Sequence, residues 1–317
     1  MDADPFHMGE REAQALAGVP PPGASIRSFM PDQHRVFFAQ LPLLLTGIAD
    51  KAGWPVATAL AGPPSFVSSP DPGVLHIATV PDVADPAASG LQVGAPIGLL
   101  GIDLGTRRRN RANGTVIALG QGGIAVSVLQ SFGNCPQYIQ TRDAAEAGGP
   151  ARPGAVQYLA GLDRAAQAMI AGADTFFVAS GSGGRGGEAG GMDVSHRGGR
   201  PGFVRVDGDV LTIPDFRGNR YFNTLGNLLL DPKVGLLFVD FAMGDLLQLQ
   251  GRAEIVWDGA EVRSFTGAER LWRVRVTAGW RRRAALPVRW TFRDYASTTQ
   301  RTGAWDTVAA TDCGSGA

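Results

Sequence analysis

The sequence predicts a mainly β protein made of two consecutive β-barrel units with a few helices. Short β-prone runs, among them LLLTGIAD, PVATALAG and IGLLGIDLG, alternate with Gly, Pro and Asp, as in antiparallel barrels. A similar order of helices and strands recurs after the Gly/Pro-rich stretch 148–154. The 317 residues and 44% hydrophobic content are enough to fill two ordinary cores.

Two anchors align the halves of the chain. IGLLGID at 97–103 matches VGLLFVD at 234–240, and VPD at 80–82 matches IPD at 213–215. The two members of the first pair are about four residues further apart in the sequence than those of the second pair. We therefore expect an insertion or deletion of about four residues in a loop between the anchors. The predicted domains are an N-terminal arm that docks on the barrels, a first repeat, a second repeat and a tail, at 1–30, 31–147, 155–298 and 299–317.

Several elements follow from local patterns. The arm is expected to contain a helix over residues 9–18, ahead of the Pro20–Gly23 break. Further helices are predicted at PDQHRVFFAQLP, LDRAAQAMI and NTLGNLLLD. In the second repeat DLLQLQG and RAEIVWDG are predicted as a pair of strands.

Composition excludes several functional classes. The 29 basic and 29 acidic residues give no net charge, which argues against nucleic-acid or membrane partners. Cys135 and Cys313 are far apart and form no CxxC motif, so neither a disulfide scaffold nor a structural zinc site is expected. The acidic N-terminus does not have the pattern of a secretory signal, and the apolar runs are too short to span a membrane. We expect a cytoplasmic protein without a bound metal.

The most informative segment runs from 193 to 240. It holds a strand with Ser195 and Arg197, a second hydrophobic strand, a turn at 215–220, a helix, and Asp231 with Pro232 before another strand. This order resembles the FMN-binding core of the pyridoxamine-phosphate-oxidase-like split barrels. The resemblance implies an FMN site formed by Ser195, Arg197, Phe203, Val204, Asp215, Arg217, Asn219, Arg220 and Asn223.

The chemistry of the segment agrees with that resemblance. Arg197, Arg217 and Arg220 supply planar guanidinium groups for a phosphate dianion, and the turn leads into a helix N-terminus, which favours anions. Phe203 and Val204 are expected to lie under the flavin ring. The ordinary alternatives are solvated arginines and, at Ser195 and Asn219, strand-end or capping roles.

Other polar groups have structural interpretations at this point. His196 is interpreted as a surface residue rather than a base. The first repeat has no Arg or Lys where Arg217 and Arg220 stand, so its phosphate site is expected to be lost. Its run Arg107, Arg108, Arg109 and Arg111 is interpreted as a solvated edge, the alternative being a role facing FMN or a nucleotide across the interface. Packing at the seam between the repeats is the expected role of Cys135, and contact with the flavin or the substrate is the alternative. GSGGRG at 181–186 is interpreted as a hairpin loop, since no helix follows it.

The resemblance implies two tandem FMN-binding split β-barrels packed as an internal pseudo-dimer. It also implies an FMN-dependent oxidoreductase that uses a small-molecule substrate or a nicotinamide nucleotide, with no catalytic residue assigned. The alternatives are a non-catalytic flavin carrier or redox sensor with an electron-transfer partner, and a haem-binding split barrel using His7, His34, His76 or His196. Association into a homodimer stays open.

Overall fold

The computed structural model describes residues 4–23, 25–146 and 154–305, and two antiparallel sheets dominate it. The strands of the first sheet are hydrogen-bonded in the order β2-β1-β5-β6-β7-β4-β3. Their bounds are β1 Leu43–Ala49, β2 Pro55–Ala61, β3 Val67–Asp71, β4 Val74–Ile77, β5 Pro96–Asp103, β6 Arg108–Gly120 and β7 Gly123–Gly133.

The second sheet repeats this order as β11-β10-β14-β15-β16-β13-β12, and β9 adds to β16. Two further strands, β8 (Thr141–Glu146) and β17 (Val288–Asp294), pair with each other and join the end of the first unit to the second. The remaining bounds are β9 Gln157–Leu159, β10 Thr175–Gly181, β11 Met192–Gly198, β12 Arg205–Asp207, β13 Val210–Phe216, β14 Lys233–Asp240, β15 Asp245–Val256 and β16 Ala268–Arg282. The predicted mainly β fold is confirmed.

The strand registers define which positions of the two sheets are equivalent. Leu100 of β5 faces Arg111 of β6, as Leu237 of β14 faces Gln248 of β15, so the predicted alignment of 97–103 with 234–240 holds here. The second anchor is wrong. VLHI of β4 pairs with β7 in the same way as VLTI of β13 pairs with β16, so position 74 is equivalent to position 210. VPD lies beyond the end of β4 and is therefore not the equivalent of IPD, which lies within β13.

Six α-helices lie outside the sheets in the described ranges: α1 Met8–Leu16, α2 Asp32–Ala39, α3 Arg164–Gly172, α4 Asn223–Leu230, α5 Ala260–Ser264 and α6 Ser297–Gln300. The predicted helices correspond to α1 to α4. The arm helix α1 packs on α4 at a very close approach, because a Cβ on Gly9 would lie 2.3 Å from the carbonyl oxygen of Gly226. The arm is therefore fixed to the helix that the sequence places at the cofactor site.

The two units share one interface. Leu43 and Leu45 of β1 and Phe177 and Ala179 of β10 belong to a single buried cluster between the sheets. The backbones also approach closely, since a Cβ on Gly47 would lie 2.8 Å from the carbonyl oxygen of Asp193. The pseudo-dimer arrangement thus brings β1, β5 and β6 of the first unit against β11 of the second.

Two local expectations need correction. DLLQLQG and RAEIVWDG form one strand, β15, with a bulge between Gln250 and Gly251 instead of a turn. The predicted tail begins inside the fold, because the Trp305 amide donates to the Gly202 carbonyl at 3.0 Å and its ring packs 4.8 Å from Phe265. Cys313 and the rest of the tail lie outside the described residues. Among the described helices, none has the length and apolar character needed to cross a membrane.

Candidate functional site

A cleft at the seam between the units collects most of the predicted cofactor residues. Its walls come from β6 of the first unit and from β11, the 215–222 turn, the start of α4 and β16 of the second. Five arginines and two carboxylates, Asp215 and Glu269, line it, a formal charge of plus three; the arginines are Arg109, Arg111, Arg197, Arg220 and Arg270. Asp193, which pairs with Arg111, reduces this to plus two. The cleft is suited to a multiply charged anion.

Helix α4 begins at this cleft in a conformation that leaves its first turn open. No side chain caps the helix, and the residue before it, Phe222, has a φ of 61°. Arg220 also has a positive φ, 65°. Left-handed backbone at residues other than glycine costs about 1–3 kcal/mol each and is concentrated at functional sites. The strained turn thus presents the partial positive charge of the helix N-terminus to the cleft.

Arg111 connects the two units at the centre of the site. Its Nε lies 3.0 Å from Oδ1 of Asp193, and its guanidinium donates to Oδ1 of Asn223 at 2.8 Å and to Oγ of Ser195 at 2.5 Å. The side chain is buried, and this burial lowers the pKa of Arg111. The interpretation of this arginine run as a solvated edge is therefore wrong for Arg111.

Arg109 and His196 form a second contact across the seam. Nη1 of Arg109 donates to Nδ1 of His196 at 3.1 Å, and its Nε donates to the Cys135 carbonyl at 3.0 Å. Burial, with Arg111 and Arg197 nearby, lowers the pKa of Arg109 to about 9. Burial and then Arg109 hold the pKa of His196 well below its usual range, so the ring is neutral and its Nε2 carries the hydrogen. The interpretation of His196 as a surface residue is wrong, because only 3% of the residue is exposed.

Asp215 orients the arginines on the opposite wall. Its Oδ2 accepts from Nη1 of Arg270 at 2.5 Å, and its Oδ1 lies 3.7 Å from Nη2 of Arg197. The guanidinium carbon of Arg270 also lies 4.9 Å from the centre of the Phe222 ring. The carboxylate thus fixes two cations at the rim without neutralising the whole set.

Several buried polar atoms of the cleft have no hydrogen-bond partner among the residues that the structure describes. They are Oδ1 of Asn134, Nε2 of His196, Nε of Arg197 and Oγ1 of Thr224. Folded proteins pair the great majority of such atoms, so a cluster of unpaired ones in one cleft marks a place that a ligand or ordered water can occupy. Three of the four are donors or hydroxyls and suit an oxygen-rich ligand.

The N-terminal arm holds the turn and the start of α4. The Glu10 carboxylate accepts from Nδ2 of Asn223, and Nε2 of Gln14 donates to the Arg220 carbonyl at 3.5 Å. Phe6 packs edge-on against Tyr221 with 5.2 Å between ring centres. Burial raises the pKa of Glu10 to about 8, and Asp193 adds to the shift. The arm therefore places a group that titrates near neutrality behind the helix.

Six of the nine residues predicted from the sequence line the cleft: Ser195, Arg197, Asp215, Asn219, Arg220 and Asn223. Arg217 is exposed outside it, and its carbonyl accepts from the Tyr138 hydroxyl at 3.2 Å. Phe203 and Val204 do not line it either. They follow the turn at Gly202 (φ 84°) and point into the core of the second unit, where Phe203 stacks on Phe176 at 5.8 Å.

Four polar members of the cleft were not predicted from the sequence: Asn134 of the first unit, and Thr224, Glu269 and Arg270 of the second. Arg109 and Arg111 were considered only in the alternative in which the arginine run faces the cofactor. The signal for Arg111 was present, because the alignment of 97–103 with 234–240 places it at the position of Gln248, in the middle of a strand. A charged residue at a buried strand position needs a partner, and only the packed pseudo-dimer supplies it.

The fold and the cleft define a mainly β protein of two similar units with an arginine-lined cleft at their seam. Residues 162–286 match the model of the pyridoxamine 5′-phosphate oxidase family. No curated protein matches the chain.

Solved structures with weak similarity were also found. A HupZ variant from Group A Streptococcus is 15% identical, with 38% of this chain and 98% of that one covered at a TM-score of 0.30. A candidate 5-nitroimidazole antibiotic resistance protein from Bacteroides thetaiotaomicron is 15% identical, with 44% and 93% covered at a TM-score of 0.29. The Bacillus subtilis inhibitor of motility MotI/DgrA is 7% identical, with 74% and 87% covered at a TM-score of 0.23.

Proposed function

We propose that this chain binds FMN in the arginine-lined cleft and works as an FMN-dependent oxidoreductase. The observation that carries the proposal is the coincidence of a formal charge of plus two to plus three with four unpartnered buried polar atoms in one cleft. A phosphate dianion matches that charge, and its oxygens match the unpaired donors. The match of residues 162–286 to the oxidase family supports the same cofactor.

The two units would contribute in different ways to FMN binding. In the second unit, Arg197 and Arg220 and the open first turn of α4 would hold the phosphate. From the first unit, Arg111 fixes Ser195 and Asn223 in place. The neutral ring of His196 offers its Nε2 hydrogen to an acceptor in the cleft. Bound FMN supplies the electron-accepting ring; the side chains bind it, orient it and limit the access of water.

The electron donor would be a nicotinamide nucleotide or another small molecule. We propose the cytoplasm, where NADH and NADPH are available, as its compartment. A flavin carrier or redox sensor is the alternative that keeps the same site. Anaerobic mixing with NADH or NADPH separates the two, because an oxidoreductase loses its flavin absorbance within its turnover time and regains it in air.

A haem site receives less support from the same structure. Three of the four histidines are buried and hydrogen-bonded: His7 with Asn227, His34 with Ser131 and His196 with Arg109. Only His76 is half-buried, and it lies within β4 of the first sheet. An axial ligand needs an accessible ring nitrogen, so the absorption spectrum of the purified protein should have flavin bands and no Soret band.

The test is a comparison of FMN with riboflavin, which has the same ring and no phosphate. Denaturation of the purified protein followed by mass spectrometry identifies the released cofactor, and titration of the stripped protein gives both dissociation constants. We expect FMN to bind at least about 100-fold more tightly, since two or more charge-assisted hydrogen bonds depend on the phosphate. Equal affinities, or no binding of either, would refute the proposal.

A further inference from the structure

The pseudo-symmetry of the units locates a second, counterpart cleft. Strand registers make Thr58 of β2 equivalent to Ser195 of β11. In the first unit Thr46 of β1 pairs with Thr58 on one side and with Leu99 on the other. In the second unit Val178 of β10 pairs in the same way with Ser195 and with Leu236, the equivalent of Leu99. Gln248 is equivalent to Arg111. The counterpart cleft is therefore framed by β2 of the first unit and β15 of the second.

A third equivalent pair completes the frame. Arg282 faces Leu246 on β15, and the amide of Asn134 bonds to the carbonyl of Arg109 on β6. Since Leu246 corresponds to Arg109 in the same alignment of the units, Arg282 takes the place of Asn134. The counterpart thus retains one buried cation, one amide and one hydroxyl around a common point.

That point is filled by the carboxylate of Asp85. Its Oδ2 accepts from Oγ1 of Thr58 at 2.5 Å and from Nη1 of Arg282 at 2.6 Å, and its Oδ1 accepts from Nε2 of Gln248 at 3.0 Å. Asp85 is 3% exposed and Arg282 5% exposed. In the place of α4 the first unit has only a short 3₁₀ turn, Pro86–Gly90, which Asp85 itself caps.

We propose that the counterpart cleft is still an anion site and that Asp85 is its permanent, built-in anion. The three side-chain donors around Asp85 all bond to its carboxylate, in contrast with the unpaired atoms in the cleft of the second unit. Removing the carboxylate leaves Arg282, Gln248 and Thr58 around a cavity sized for a small carboxylate such as formate. Resting on the proposed function, the same inference limits the chain to one FMN.

The experiment is chemical rescue of Asp85→Ala. Loss of the carboxylate leaves Arg282 buried without a counterion, so we expect the melting temperature to fall on the order of 5–10 °C. Sodium formate should then raise the melting temperature of Asp85→Ala in a saturable way, and sodium chloride at equal ionic strength should not. If the variant is recovered unfolded, refolding yield with and without formate gives the same comparison.

Two controls connect the rescue with the site. Asp85→Asn fills the cavity, and Asp85→Ala/Arg282→Ala lacks the cation, so formate should rescue neither of them. An equal response of all three variants, or none in Asp85→Ala, would overturn the proposal. These readouts require no flavin, so they stand even if FMN does not bind. In the wild-type protein, a stoichiometry of two FMN per chain contradicts this inference alone, whereas zero contradicts the proposed function alone.

Discussion

Arg111 of the first unit donates a 2.8 Å hydrogen bond to Oδ1 of Asn223, the first residue of α4 in the second unit. The start of the helix that faces the cleft is thus positioned by the other half of the chain. Docking of the two units and the position of the start of α4 therefore depend on the same contact, and changes at the seam should affect both.

Arg111→Gln gives the cleft the residue found at the equivalent position, Gln248. We expect FMN affinity to fall at least about tenfold, because a cation and its bonds to Ser195 and Asn223 are lost. Unfolding free energy should fall by about 3–5 kcal/mol, since Asp193 is left buried without its partner. Fluorescence titration and denaturant unfolding measure the two effects. A loss of stability with unchanged affinity would confine Arg111 to a structural role.

Arg220→Ala tests the rim of the cleft, and Arg217→Ala is its matched control on the same turn. Arg220 lines the cleft, whereas the exposed Arg217 does not. Loss of one charge-assisted hydrogen bond of about 1.5–3 kcal/mol should weaken FMN binding by about 10- to 150-fold in the first variant only. Riboflavin affinity should change in neither. Equal losses in both variants would point to a general electrostatic effect rather than a phosphate contact.

Glu10 should make stability fall as pH rises. Burial raises its pKa from an ordinary value of 4.5 to about 8, so between these values the folded chain holds a proton that the unfolded chain has released. The stabilising contribution is complete below about pH 4.5 and lost as pH passes 8. The melting temperature, measured from about pH 5 to 9, should therefore fall more steeply with rising pH in the wild-type protein than in Glu10→Gln. Parallel curves would mean that the pKa of Glu10 is not raised.

The contact between the arm and α4 has its own test in Gly226→Ala. The change improves the intrinsic helix propensity of α4 by up to about 1 kcal/mol. It should nevertheless destabilise the protein, because the new Cβ would lie 2.6 Å from the backbone of Glu10. Hydrogen exchange should increase in α1, and FMN affinity should fall as Arg220 and Asn223 lose their arm contacts. Faster exchange in α1 with unchanged affinity would separate the arm from the site.

The sequence was sufficient for the order of strands and helices, because alternating β-prone runs and turn residues are local signals. It also brought together Ser195, Arg197 and Arg220, which lie within one short segment of the chain. The local pattern gave a wrong prediction at β15, which was expected to be two strands. A bulge between Gln250 and Gly251 lets it continue as one strand.

The remaining site residues depend on packing between distant parts of the chain. Arg111 meets Ser195 across 84 positions, and nothing local distinguishes it from its exposed neighbour Arg108. Phe203 was predicted to lie under the flavin as part of a hydrophobic strand, yet its side chain packs in the core of the second unit. Asp85 was not predicted as a site residue, because its hydrogen bonds are made to side chains of β2, β15 and β16, which only the folded chain brings together.

A crystal structure of the protein with FMN tests the central claim most directly. Phosphate oxygens should lie within hydrogen-bonding distance of Arg197, Arg220 and the first amides of α4, with Arg111 still bonded to Asn223. One FMN should be present per chain, with Asp85 still paired to Arg282. An FMN phosphate bound elsewhere, or a cleft that stays empty at saturating FMN, would contradict the account.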